Sequence, residues 1–339
     1  MDLMPRRWWR SAQQAARAEG AEETHPTQDG QSTLELYARN WLFIPTELQA
    51  RLRQTTLLTA GTGLGSVVAT LAARVGFTRF VLVDGDVVER SNLNRQAFTQ
   101  AHLGQNKAEA TAEIIRAIVP EATVESVPRF VTADDVAAIV GQGDIIINTI
   151  DLDNLAFLKL NQAAREAKKP VLFPINLGWG GALLVFPPEG LSLDEYLALA
   201  PGQAGTEAVA TQLIMRILQG IPGGIPPYLA ALLPSFQSRD PASWPYDPQL
   251  GVATHLSAAL SVRAAVALVA GEPLRVAPEV LWLDALSAST ISTISTAPTM
   301  ASPEHADQRA RTADAAPTAA AEGAEATEAI IATEQGEER

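Results

Sequence analysis

The stretch that most constrains this chain is an apolar run that empties into glycines, followed one helix later by a second apolar run ending on an acid. Thr56-Leu57-Leu58-Thr59-Ala60 precedes Gly61-Thr62-Gly63-Leu64-Gly65-Ser66. A small-residue helical stretch follows over 67–75, and Phe80-Val81-Leu82-Val83 closes on Asp84. Strand, glycine turn, helix, strand and terminal acid make up half of a nucleotide-binding βαβ unit. Gly61, Gly63 and Gly65 let the backbone approach a phosphate, and the helix N-terminus offers N–H donors and the positive end of its dipole. Asp84, at the carboxyl end of the second strand, is placed to hydrogen-bond a ribose hydroxyl. An NAD-dependent reductase begins in the same way, so these residues alone leave the nucleotide open.

The residues beyond Asp84 narrow the choice. The chain continues through Gly85-Asp86 to Ser91-Asn92-Leu93-Asn94-Arg95-Gln96, then to Lys107 after Gly104-Gln105-Asn106, and to Asp151 after the apolar run 145–150. An arginine, a lysine and a strand-end aspartate suit a triphosphate with Mg²⁺ better than a dinucleotide. Lys107 falls in the first turn of a predicted helix, 107–119, where a cation opposes the helix dipole. That local cost argues for a phosphate role.

The block Asp-x-Asp followed by Ser-Asn-Leu-Asn-Arg-Gln resembles the ubiquitin-activating-enzyme-like adenylyltransferases of the ThiF/MoeB/HesA type. The resemblance covers 36–186 and, more loosely, 249–271 with the strand near Leu281. It implies ATP and Mg²⁺ as cofactors, with Gly61, Gly63, Gly65, Asp84, Asp86, Asn92, Asn94, Arg95 and Lys107 around the nucleotide. Arg95 and Lys107 would act on the phosphates and Asp151 at the metal. Arg39, in Tyr37-Ala38-Arg39-Asn40, would reach the site of a neighbouring subunit in a homodimer. The implied substrate is a carboxylate at the C-terminus of a peptide or small protein, activated as an acyl-adenylate, with 187–248 as the variable substrate-facing insertion. The family turn is usually Gly-x-Gly-Gly-x-Gly, whereas Gly61-Thr62-Gly63-Leu64-Gly65 is one residue shorter or starts at Ala60. A catalytically silent relative acting as a binding scaffold is the alternative this departure leaves open.

Composition removes other chemistries. The chain has no cysteine, which excludes disulfides, cysteine-ligated zinc and a catalytic thiol. His25, His102, His255 and His305 are scattered, so no histidine metal cluster is expected. A net charge of −13 with no basic stripe argues against a polyanionic partner, and so against a branch of the family that modifies tRNA. No apolar run of about 18 residues is present, so the reading is a cytoplasmic protein without a membrane span.

The organisation expected is a single doubly wound α/β domain over 33–288 with a mostly parallel Rossmann-like sheet, between a disordered arm (1–32) and a disordered acidic tail (289–339). The arm carries Arg6-Arg7-Trp8-Trp9-Arg10, but no apolar core of an export signal follows. Further strands are predicted at 123–130, 145–147, 171–173, 182–186 and 280–283. Helices are predicted at 34–53, interrupted at Pro45, and at 133–140 with Thr132 as cap. Others follow at 159–169, 193–199, 207–219 and 249–271, the last with a buried stripe of Leu256, Leu260, Ala264 and Leu268. Gly178-Trp179-Gly180-Gly181 reads as a turn, with Trp179 as sheet-edge core or as lining of an acceptor groove.

Overall fold

Alternation along the strands sets the architecture. In a computed structural model, which describes residues 35–40, 42–132, 134–152, 155–199, 206–238 and 247–284, one sheet is built from β1 (Thr56–Ala60), β2 (Arg79–Val83), β3 (Thr123–Val127), β4 (Ile145–Asn148), β5 (Val171–Leu177), β6 (Gly180–Phe186) and β7 (Leu281–Leu283). Their order is β3-β2-β1-β4-β5-β6-β7. Neighbours are parallel from β3 through β5, and β6 runs antiparallel to both β5 and β7. Leu58, Val81, Val83 and Ile146 face one layer, while Leu57, Phe80, Leu82, Ile145 and Ile147 face the other. A sheet apolar on both faces has to be covered on both. The predicted arm and tail, and Asp153, which the sequence suggests as a turn residue, lie outside the described residues.

The helices supply that cover: α1 (Thr46–Gln54), α2 (Leu64–Val75), α3 (Lys107–Ile118), α4 (Val136–Gly141), α5 (Ala156–Glu166), α6 (Leu193–Leu197), α7 (Thr206–Gln219), α8 (Pro227–Ser238) and α9 (Gly251–Ala270). Residues of α1, α2, α3 and α9 share one core with Leu57 and Phe80. Residues of α4 to α8 share the other with Leu58 and Val81. The stretch 187–248 is therefore part of the second layer, through Tyr196, Leu213, Ile217 and Leu229, rather than only a surface insertion.

Several elements differ from the sequence reading. The strand expected to stop at Phe173 runs through Pro174 to Leu177. The Pro170 carbonyl accepts from Ile146 N–H at 3.0 Å, and by alternation Pro174 turns its nitrogen to the same side, past Leu172, where pairing with β4 ends. No ladder bond is lost there. The short helix begins at Val136, with Asp135 rather than Thr132 at the N-cap position. In α9 the predicted stripe is buried only at Ala264, with Leu256, Leu260 and Leu268 half-buried, and the most buried face carries small residues, among them Ala253, Ser257, Ser261 and Ala265. The cause is the glycine side of β6: a Cβ on Gly181 would lie 2.4 Å from the Ser257 backbone nitrogen. By length and composition α9 could cross a membrane, yet most of it is buried against β5, β6 and α2. An unpredicted helix, α8, tolerates Pro227 in its first turn, where the missing N–H has no helical partner to lose.

β5 and β6 join through the two-residue loop Gly178-Trp179, closed by the Leu177–Gly180 pair. Gly178 has φ 57°, the positive value that a type II′ hairpin needs at its first central residue. Trp179 stands exposed at the tip, its N–H donating to the Tyr228 hydroxyl at 3.2 Å.

The entry segment is pinned by Tyr37, whose hydroxyl donates to the Ala73 carbonyl at 2.8 Å. Burial, reinforced by the Glu121 carboxylate, pushes the phenol up to about 12. The fold thus favours the neutral phenol. Its contribution is complete below the ordinary tyrosine value of about 10 and is lost as pH climbs toward the folded value. Urea midpoints between these limits should fall less steeply for Tyr37→Phe than for the parent chain. Gly181→Ala is expected to lower the unfolding free energy by about 1–3 kcal/mol through overpacking. At Gly141 a Cβ meets nothing within 4 Å, so Gly141→Ala should change it by less than about 0.5 kcal/mol. Denaturation curves of the two variants check the contrast.

Candidate active site

The ends of β1, β2 and β4 meet where the strand order reverses, the place open α/β sheets reserve for ligands. Gly61 leaves β1 with φ 83° and donates its N–H to the Val83 carbonyl at 2.8 Å. A Cβ at Gly61 would lie 2.3 Å from the Thr149 carbonyl oxygen, so only glycine can pass between the two strands. Gly65 is also a packing requirement, its missing Cβ falling 2.5 Å from Thr59 Cγ2 and 2.8 Å from Thr149 Oγ1. Gly63 differs. It is the N-cap of α2, with no side-chain cap and no acid in the first turn, which leaves the leading N–H groups for an anion. The Gln96 amide sits 3.1 Å from the Cβ that Gly63 lacks.

Asp84 closes this turn. Its Oδ2 accepts from Thr62 N–H at 2.5 Å and from the Thr62 hydroxyl at 3.0 Å, and its Oδ1 accepts from Asp86 N–H at 2.8 Å. The acid expected at a ribose thus also holds the loop, and Oδ1, with one partner, keeps capacity for a hydroxyl. Asn106 ties the same segment to α3. Its Nδ2 donates to the carbonyls of Asp84 and Asp86 at 2.9 and 3.1 Å, while its Oδ1 caps α3 through the N–H groups of Ala108 and Glu109. Lys107 is the first residue of that helix. It is buried, and its Nζ lies 3.0 Å from Asp86 Oδ2. Asp86, which the sequence suggests as a nucleotide contact, is the lysine's counter-ion.

The Ser-Asn-Leu-Asn-Arg-Gln loop shapes itself around Asn92. This residue is buried, its Oδ1 accepts from Glu89 N–H at 2.9 Å, and its carbonyl accepts from the N–H groups of Arg95 and Gln96. Its side-chain oxygen and backbone carbonyl thus shape the loop itself, alongside the role expected of it at the nucleotide. Asn94 likewise supports Arg95, its Oδ1 accepting from Nη1 at 2.9 Å. Arg95 Nη1 also donates to the Ser91 carbonyl at 2.9 Å, and Nε to Gln249 Oε1 at 2.7 Å. Burial lowers the guanidinium's pKa from its ordinary value, and the Asp151 carboxylate draws it back up. Arg95 and exposed Asp151 therefore share one electrostatic neighbourhood beyond β4.

Arg39 is the exception. Its turn is fixed by Tyr37 and Asn40 to the Ala73 and Val75 carbonyls at the C-terminal end of α2. The glycine turn is at the other end of that helix, roughly 18 Å away, so Arg39 does not serve its own chain's site. Sequence reasoning passes over Thr62, Asn106 and Gln249. Asn106, with Glu109 in the following turn, carries the signal of an N-cap. Gln249 carries none, lying 154 residues from Arg95.

Known proteins resemble this chain along most of its length. It is 30% identical over 196 residues to the SAMP-activating enzyme E1 of Haloferax volcanii, a match covering 57% of this chain and 72% of that enzyme. Against ubiquitin-like modifier-activating enzyme 5 of Culex quinquefasciatus it is 31% identical over 142 residues, covering 38% of this chain and 34% of that protein. The chain thus spans about a third of this second relative. The crystal structure of PaaA superposes with a TM-score of 0.57 at 18% identity, covering 84% of this chain and 81% of that one. That of E. coli MccB with MccA-N7isoASN gives 0.54 at 17%, covering 75% and 74%. Both share the fold. Residues 37–305 match the ThiF family, and by that match over most of its length the chain belongs to the ThiF family.

Proposed function

We propose that this chain is an ATP-dependent adenylyltransferase that activates a carboxylate, the C-terminus of a peptide or small protein, as an acyl-adenylate. The observation that carries this reading is the convergence of an uncapped α2 N-terminus, buried Lys107 and the Arg95–Asp151 pair at the ends of β1, β2 and β4. A dinucleotide reductase would leave Arg95, Lys107 and Asp151 without a task. The shortened glycine turn, the reason to consider a silent scaffold, is fully closed by Asp84 and Thr62.

In the reaction a carboxylate oxygen attacks the α-phosphorus of ATP. The new O–P bond forms as the bond to the bridging oxygen breaks, and the electron pair leaves with pyrophosphate. The nucleophile is already ionised, so no proton has to move. The work left to the protein is orientation and charge stabilisation. The first-turn N–H groups of α2 and the Lys107 ammonium meet phosphate oxygens, Arg95 faces the developing charge, and Asp84 Oδ1 takes the ribose. Among the described residues no three acids or histidines converge. Asp151 with phosphate oxygens still fits Mg²⁺, which commonly binds through one or two carboxylates and a substrate's phosphates. When bound, the ion neutralises charge on the departing pyrophosphate.

Without cysteine in these 339 residues, the acyl group passes to an outside nucleophile rather than through a thioester on them. We further read a cytoplasmic homodimer in which Arg39 of a second copy completes each site, a role suited to a residue that stands apart from its own.

Calorimetric titration is expected to show Mg·ATP binding and no NAD binding, and the reverse result would sink adenylation. Lys107→Ala and Asp151→Ala should each reduce carboxylate-dependent pyrophosphate exchange into ATP by about 100-fold or more. Heterodimers of an Arg39→Ala subunit with an Asp151→Ala subunit should regain part of the activity that either homodimer lacks, since one composite site stays intact. Verified heterodimers as inactive as the parents would remove Arg39 from the site.

A further inference from the structure

The residue that holds Arg95 comes from far along the chain. Gln249 lies just before α9, and its Oε1 accepts from Arg95 Nε at 2.7 Å and from Asn176 Nδ2 at 3.2 Å. The Asn176 amide also donates to Thr254 Oγ1 at 3.1 Å, and that hydroxyl donates to the Leu250 carbonyl at 3.2 Å. A guanidinium can only donate, so the direction of the chain is fixed and the Gln249 amide cannot flip without losing both bonds. The backbone is docked as well. The Gln249 carbonyl accepts from Asn94 Nδ2 at 3.2 Å, and a Cβ on Gly251 would lie 2.7 Å from the Asn94 oxygen.

One oxygen atom therefore joins three segments: the Arg95 loop, the hairpin end of β5 and the start of α9. The bonds engage Nε and Nη1 of Arg95, and among the described residues none engages Nη2. A guanidinium gripped on two sides presents its remaining edge in one plane. We propose that Gln249 is a positioning residue that sets this plane, turning the Nη2 edge of Arg95 to the phosphates. The inference rests on the nucleotide reading above.

The test is a double-mutant cycle read by calorimetry, with Mg²⁺ and a non-hydrolysable ATP analogue as probe. Gln249→Met, close in length but without the acceptor, should weaken binding by about tenfold, the scale of one hydrogen bond to a charged group. Arg95→Ala should weaken it further, and the double variant should bind no worse than Arg95→Ala alone. Binding by Gln249→Met equal to the parent chain, or a full additional loss in the Arg95→Ala background, overturns the proposal. A parent chain that fails to bind the analogue counts against adenylation itself. In that case, or if Gln249→Met does not fold, the geometry is decided on the unmodified protein. The Arg95 Nε–H resonance in ¹⁵N-labelled chain should be resolved and slow to exchange with water. Exchange as fast as that of a solvent-exposed arginine overturns the assignment.

Discussion

The Asp84 carboxylate holds the candidate site together before any ligand enters. It is buried and takes three donors from Thr62 and Asp86, while its own carbonyl is held by Asn106. A buried carboxylate is tolerable because those N–H and O–H groups replace its water. The dependence is mutual: without the carboxylate, the Thr62 and Asp86 N–H groups would face a void at the end of β2. Glycine turn, β2 terminus and the first turn of α3 are thus one hydrogen-bonded object, and Lys107 keeps its place only as part of it.

Around that object the two cations are mounted in opposite ways. Lys107 is set by local sequence, as the residue after an N-cap and opposite an acid 21 positions earlier. Arg95 is set by tertiary contact, its guanidinium gripped by residues of its own loop and by Gln249. The first depends on the βαβ unit alone. The second requires the whole sheet to have formed, since β5, α9 and the loop have to meet before the arginine is held.

That difference explains how much is legible in the sequence. Strands buried on both faces announce themselves as apolar runs, and the parallel half of the sheet follows from strand–turn–helix repetition. Gly61, Asp84 and Lys107 can be read because glycine turn, strand-end acid and helix start are fixed by neighbours in the chain. Asn92 stands out in the sequence, but the bond its Oδ1 accepts from Glu89 N–H does not, because spacing does not say which way a polar group turns. The face of α9 is read only in part, since Ala264 of the predicted stripe is buried but its leucines only half so, and nothing local reveals that Gly181 brings the helix too close for leucine. Gln249 and Asn176 have no pattern to betray them, since each matters only through a contact 73 residues or more away.

The ion pair of Lys107 with Asp86 has a consequence for what the site will accept. Lys107 and Arg95 stand there with Asp84, Asp86 and Asp151, so the formal charges come to −1. With side-chain charges so nearly balanced, a bare anion would find its pull mainly in the uncapped N-terminus of α2, because Lys107 already has a carboxylate beside it. A ligand that brings phosphate oxygens and a divalent cation together gives the ammonium and guanidinium new partners, and it supplies positive charge to the acids they leave. On the adenylation reading proposed above, such a pocket would select by exchange of partners, so that neither half of the ligand would be well received without the other.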